Sequence, residues 1–175
     1  MDPDWAAATT VTIGMAIICL SIVVISGYAG QLSLAQYVLA GTGALVAARL
    51  SAHLPFLVVI IVAAIAMAVA GVAVGLTALR TRGITLAVVT LGLGVAVYAV
   101  VLSNSKWTGG TSGINIRTPN LFGWDLDPYL HSSRYAFVAL TVLLLIALAI
   151  ANLRRGATGR RLLAVRSNER AAAAL

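Results

Sequence analysis

The sequence predicts an all-α fold: a polytopic membrane helical bundle of about five transmembrane helices, the second short or broken. Three observations predict it. From Trp5 to Ala48 the chain runs 44 residues without a charged side chain. As a straight helix that run would be about 66 Å long at ~1.5 Å per residue, against a bilayer hydrocarbon core of about 30 Å, so the chain must cross, turn and cross back. Further uncharged runs occupy 50–79, 83–105 and 135–153, each near or above spanning length. Hydrophobic residues make up 61% of the chain and charged residues 10%, where a soluble domain carries about 25% charged residues.

Taken in order, the first span is expected at about 8–26. Its leader, Met1-Asp2-Pro3-Asp4, is acidic where a cleavable signal would be basic, so it is read as a retained span. The turn that follows, Ser26-Gly27-Tyr28-Ala29-Gly30-Gln31-Leu32-Ser33, is polar and glycine-rich yet uncharged. The second span, 34–50, has 17 residues and is interrupted by Gly41-Thr42-Gly43. Irregular backbone at membrane depth is tolerated only where protein or a water-filled cavity satisfies it, and broken helices of this kind line the substrate routes of transporters. The alternative is a plain tight turn at the membrane surface, with the glycines used for close helix packing. The third span, 54–79, carries Gly71 and Gly75 at small-xxx-small spacing, a helix-packing pattern. The fourth, 83–102, is thinned on one side by Gly92 and Gly94. A loop over 103–133 precedes the fifth span, 134–152, and closes a transmembrane domain of 1–152. In that loop 121–128 reads as a compact turn or short interfacial helix. The last stretch, 153–175, is arginine-rich and, from Arg160 onward, helix-favouring, too polar to span and suited to lying along the membrane or docking a partner.

Basic residues set the orientation. With the N-terminus outside, the cytoplasmic face holds Arg80, Arg82, Arg154, Arg155, Arg160, Arg161, Arg166 and Arg170, and the outer face holds Arg49, Lys106, Arg117 and Arg134. Eight against four is the bias of the positive-inside rule, and Trp5, Trp107 and Trp124 then all fall outside, where an aromatic belt places them.

The net charge of +7 does not indicate nucleic acid, because six of the twelve basic residues crowd the flank 154–170 directly after an apolar span. Cys19 is the single cysteine, read as a small packing residue, so no disulfide framework or metal-ligand spacing exists. Thr108-Gly109-Gly110-Thr111-Ser112-Gly113 lacks the Gly-Lys-Ser/Thr ending of a phosphate-binding loop. With no nucleophile–base pair, metal cluster or carboxylate pair, an enzyme is not expected. No acidic residue sits inside a span, so proton or ion coupling is not expected either, and energy would come from another subunit.

Four blocks carry a resemblance. Ser26 through Leu34, Arg82-Gly83-Ile84-Thr85-Leu86-Ala87-Val88-Val89-Thr90-Leu91, Thr108 through Ile114, and Gly159-Arg160-Arg161-Leu162 through Asn168-Glu169 resemble, in order, blocks of the branched-chain amino acid ABC transporter permeases of the LivM type. The resemblance implies a channel-forming subunit in a bacterial plasma (inner) membrane. Its partners would be a second permease subunit, two cytoplasmic ATPase subunits and an external substrate-binding protein, with ATP used by the partners and no cofactor held by this chain. It places Gln31, Ser33 and Gln36 along the transport pathway. Arg166, Asn168 and Glu169 would lie at the ATPase contact, in a coupling segment that starts at 153. The chain departs from the family at Ser167 and Ala173, where acidic residues are usual, and at Arg170, where an apolar one is. It also stops at Leu175, where a glycine and further spans would follow, so an N-terminal fragment is expected. A urea-type ABC permease shares these blocks. A non-transporting membrane scaffold or truncated remnant is the alternative from another class.

Overall fold

The computed structural model describes residues 3–78, 84–121, 124–127 and 130–167. Its elements are helices α1 (Pro3–Ile22), α2 (Gln36–Leu50), α3 (Phe56–Ala78), α4 (Ile84–Val97), α5 (Ser105–Thr108), α6 (Ser132–Arg155) and α7 (Ala157–Ser167), with two short strands, β1 (Asn120–Leu121) and β2 (Trp124–Asp125). The fold is the all-α bundle expected from the apolar runs. Among the described residues, four helical stretches are long and apolar enough to cross a bilayer: Asp4–Tyr28, Phe56–Leu76, Thr85–Leu102 and Ser132–Arg155. Helix α2 has 15 residues, about 22 Å at ~1.5 Å per residue, and is shorter than that length.

The chain divides into two units. One holds residues 1–33 and 128–175, the other 34–127. In the first, α1 packs along α6. Thr9 and Ile13 of α1 line a groove with Ser133, Ala136, Phe137 and Leu140 of α6. This groove lies toward the start of both helices, and the far end of α1 meets α7, which follows the end of α6, so the two run in the same direction. The hydroxyls of Thr9, Thr10 and Thr12 donate back to the carbonyls of Trp5, Ala6 and Ala8, which removes their cost in an apolar surrounding. Helix α6 ends at Gly156, whose N–H donates to the carbonyls of Asn152 and Leu153 at 2.9 and 3.2 Å. Helix α7 leaves at once from a tight turn. A methyl group at Gly159 would run into the Leu153 carbonyl and lie 2.8 Å from Arg154 Cα, so only glycine fits there.

In the second unit, α2 packs on α3 and α4. The contacts between α2 and the fourth span rise together along both helices: Leu34 with Thr90, Val38 with Gly94, Gly41 with Leu102. These two helices are therefore parallel, with α3 returning between them. Glycines set how close the backbones come. A Cβ at Gly43 would sit 3.0 Å from Met67 of α3, one at Gly41 3.2 Å from Leu102, and one at Gly94 3.4 Å from Val38. Gly71 and Gly75 are different, with open space around both.

Beyond the fourth span, Asn104 caps α5 by accepting from the Lys106 N–H at 3.0 Å, and Gly109 ends it with a φ of 79°. Arg49, at the end of α2, donates to the carbonyls of Lys106 and Trp107 at 2.6–3.1 Å. The guanidinium thereby satisfies carbonyls that a helix end leaves unpaired. Of the stretch 121–128, the described residues Leu121, Trp124 and Asp125 lie in short strands and not in a helix. Strands β1 and β2 pair antiparallel, Asn120 with Asp125 and Leu121 with Trp124, and Leu126 is fully buried beside them.

Large apolar side chains remain exposed on the long helices, among them Val11, Ile65, Val69, Leu145 and Leu148. In water this would be an aggregation surface. In a bilayer it is the normal exterior, because lipid tails solvate it. Cys19 is exposed as well.

Candidate functional site

The chemistry concentrates where α1 stops being a regular helix. From Val23 to Tyr28 the ladder widens into a π-helical turn. The Ala29 N–H reaches back five residues to the Val24 carbonyl at 3.2 Å, and the Gln31 N–H six residues to Ile25 at 3.1 Å. Such turns inside membrane or enzyme helices mark functional positions more often than chance would place them. Gly30 then takes a φ of 67°, a left-handed conformation that ends a helix and that a side chain disfavours. Gln31 through Ala35 have no regular structure.

Within the first unit, Gln31 is exposed and Ser33 half-buried. Arg166 of α7 meets this turn directly, its Nη1 donating to the Gly27 carbonyl. Its aliphatic stem lies over Gly30, where an added Cβ would come within 2.8 Å of Arg166 Cγ. Asn168 and Glu169 lie outside the described residues.

Within the second unit, the Leu34 N–H donates to the Thr90 hydroxyl at 3.1 Å, and that hydroxyl donates on to the Ala87 carbonyl at 3.1 Å. Thr90 is 2% exposed. It stands five residues inside the span that begins at Thr85, about 7–8 Å along the helix axis. Where such a stretch lies in lipid, an irregular backbone N–H must be satisfied by protein. Thr90 supplies the partner. Gln36, the first residue of α2, is 9% exposed, and its Oε1 is buried without a hydrogen-bond partner among the described residues. An unpaired buried acceptor costs about 1–3 kcal/mol.

Of the three expected pathway residues, Gln36 is the one that is buried. Thr90 belongs to one of the resembling blocks, yet its role was not foreseen. The available signal was a lone hydroxyl in an apolar run, a residue type that bonds across helices in lipid.

Four helices long and apolar enough to cross a bilayer fit a multi-pass membrane protein. The chain belongs to the family described as branched-chain amino acid transport system / permease component, whose profile matches residues 6–175. It is similar to the high-affinity branched-chain amino acid transport system permease protein LivM of Escherichia coli (strain K12), with 34% identity over 186 residues that cover 91% of this chain. The protein of the same name from Salmonella typhimurium (strain LT2) matches with the same identity and coverage. The chain spans less than half, 43%, of the length of these curated relatives. No solved structure matches it.

Proposed function

We propose that this chain is part of a permease subunit of an ATP-driven importer for branched-chain amino acids, and that the break between α1 and α2 lines its translocation pathway. The observation that carries this reading is the satisfied break itself: the Leu34 N–H held by Thr90 within an apolar span, beside the unpaired Oε1 of Gln36. Gln31, Ser33 and Gln36 offer polar groups along the route, and the polar ends of an amino acid need such groups in a site otherwise read by shape. The partners are a second permease subunit, two cytoplasmic ATPases and an external binding protein. Arg166, Asn168 and Glu169 lie at the ATPase contact. The chain is not itself an enzyme. Gly71 and Gly75, open in this chain, suit the close approach of a helix from the second permease.

Five crossings of a bacterial plasma membrane, with the N-terminus outside, fit the helix directions. Parallel α1 and α6 require an odd number of crossings between them, and α3 and α4 supply two. Helix α2 supplies the third, because its ~22 Å of helix and the extended residues before it, at ~3.3 Å each, together reach the ~30 Å core. Arg154, Arg155, Arg160 and Arg161 then flank the cytoplasmic end of α6.

The test is uptake of labelled leucine by proteoliposomes holding the whole transporter. Gln36→Leu, which replaces the unpaired acceptor by a similar apolar volume, is expected to lower uptake about tenfold or more while the protein still inserts. In the same vesicles a lone cysteine at Ser112 is expected to react with an impermeant thiol reagent from the outside. Unchanged uptake in Gln36→Leu would remove the pathway role, and labelling at Ala157→Cys instead of Ser112→Cys would invert the orientation.

A further inference from the structure

The two glycines that shape the end of α1 both serve one side chain, which lies 139 residues beyond the first of them. Gly27 presents a carbonyl that the Arg166 guanidinium takes up. Gly30, with its φ of 67° and no Cβ, leaves the space that the Arg166 stem fills. Helix α7 packs on the π-helical turn, and α7 is itself fixed to the end of α6 by the close-packed turn at Gly159. A cation at the carboxyl end of a helix is stabilised by the unpaired carbonyls and the dipole there. The arrangement is a direct mechanical tie from α7 to the segment that leads into Gln31 and Ser33.

We propose that Arg166 is a positioning residue: it latches α7 onto the unwound end of α1, so that a displacement of α7 is delivered to the 27–33 segment at the start of the pathway. This rests on the reading of the chain as an ATP-driven permease subunit, and extends it by giving Arg166 a role through its own chain instead of only through an ATPase. Lysine could keep the charge and one hydrogen bond but lacks the planar fork, so Arg166→Lys should retain part of the function.

The experiment uses the complete transporter in nanodiscs and follows two readouts. Hydrogen exchange over residues 23–33 is expected to accelerate about three- to tenfold in Arg166→Gln, the loss of one charge-assisted bond at an exposed site, with α6 unchanged. Leucine taken up per ATP hydrolysed is expected to fall about fivefold, with Arg166→Lys intermediate in both. Gly30→Ala, which displaces the Arg166 stem without removing the charge, should reproduce the faster exchange and guards against a variant that merely fails to insert. Unchanged exchange in both Arg166→Gln and Gly30→Ala overturns the latch. Faster exchange with an unchanged ratio of uptake to hydrolysis overturns its part in transmission. A wild-type complex that takes up nothing sinks the transport reading instead, and leaves the exchange result to decide the latch.

Discussion

The two units solve the same problem, holding apolar helices together in an apolar solvent, by different means. The unit of α1, α6 and α7 joins two helices of full spanning length, Asp4–Tyr28 and Ser132–Arg155, and a polar tie between elements far apart in sequence, Arg166 to Gly27, sits at the helix ends. The unit of α2 to α5 is built on a 15-residue helix that lies against α3 and the fourth span through glycines and is held at depth by Thr90. In lipid no hydrophobic force favours one helix face over another, so association rests on close backbone approach and on hydrogen bonds. A full-length helix is already committed by its insertion and needs only its ends arranged. A short one, preceded by irregular backbone, needs close packing and a hydrogen bond inside the membrane as well.

Substitutions can break or sharpen that contrast. The largest effect is expected in the first unit at Gly159→Ala. Its methyl would meet backbone atoms of Leu153 and Arg154, which cannot move aside, and the cost should be about 3 kcal/mol. Thermal unfolding in detergent would show it, together with exposure of α7 to protease. A variant as stable as wild type would mean that the α6–α7 turn is not tightly closed. Next comes Gly43→Leu in the second unit, expected to cost about 1–2 kcal/mol through overpacking against Met67. Gly71→Leu, in open space, should stay within about 0.5 kcal/mol for the isolated chain. Equal melting temperatures for these two would remove the distinction between glycines that pack within the chain and those left open. Thr90→Val is expected to cost about 1 kcal/mol, because it leaves the Leu34 N–H unpaired. Faster amide exchange at Leu34, with α3 unaltered, is the expected signature, and unaltered exchange there would show that the break is not held by Thr90.

Much of the fold was legible in the chain. Hydropathy located the four long helices and singled out 34–50 as short, because the length of an uncharged run is a local property that a window of residues captures. The break was legible through Gly27, Gly30 and the polar, uncharged residues around them, Ser26, Gln31 and Ser33. Arg166 was singled out, but for contact with an ATPase, since nothing local points from α7 to Gly27. The strand pair of Asn120–Leu121 with Trp124–Asp125 was not foreseen in a stretch read as a compact turn or short interfacial helix, because two-residue strands carry too little periodicity to register. The glycine patterns were only half informative. Gly71 and Gly75 have the spacing of a packing motif, yet among the described residues nothing lies within 4 Å of a Cβ placed at either, whereas Gly43 packs against Met67.

The sequence alone determined the solvent, the apolar runs and the position of the interruption, because each follows from the cost of placing charge or unpaired backbone in hydrocarbon. Its blocks also pointed to the family. Only the tertiary structure decided that α1 runs parallel to α6 and α2 to the fourth span, that Thr90 rather than a neighbour satisfies Leu34, and that Arg166 closes on Gly27 and Gly30. Lipid-facing and helix-facing residues are equally apolar, so hydropathy cannot say which face packs. A contact across 139 residues is fixed by how the helices are brought together, and no local pattern records it.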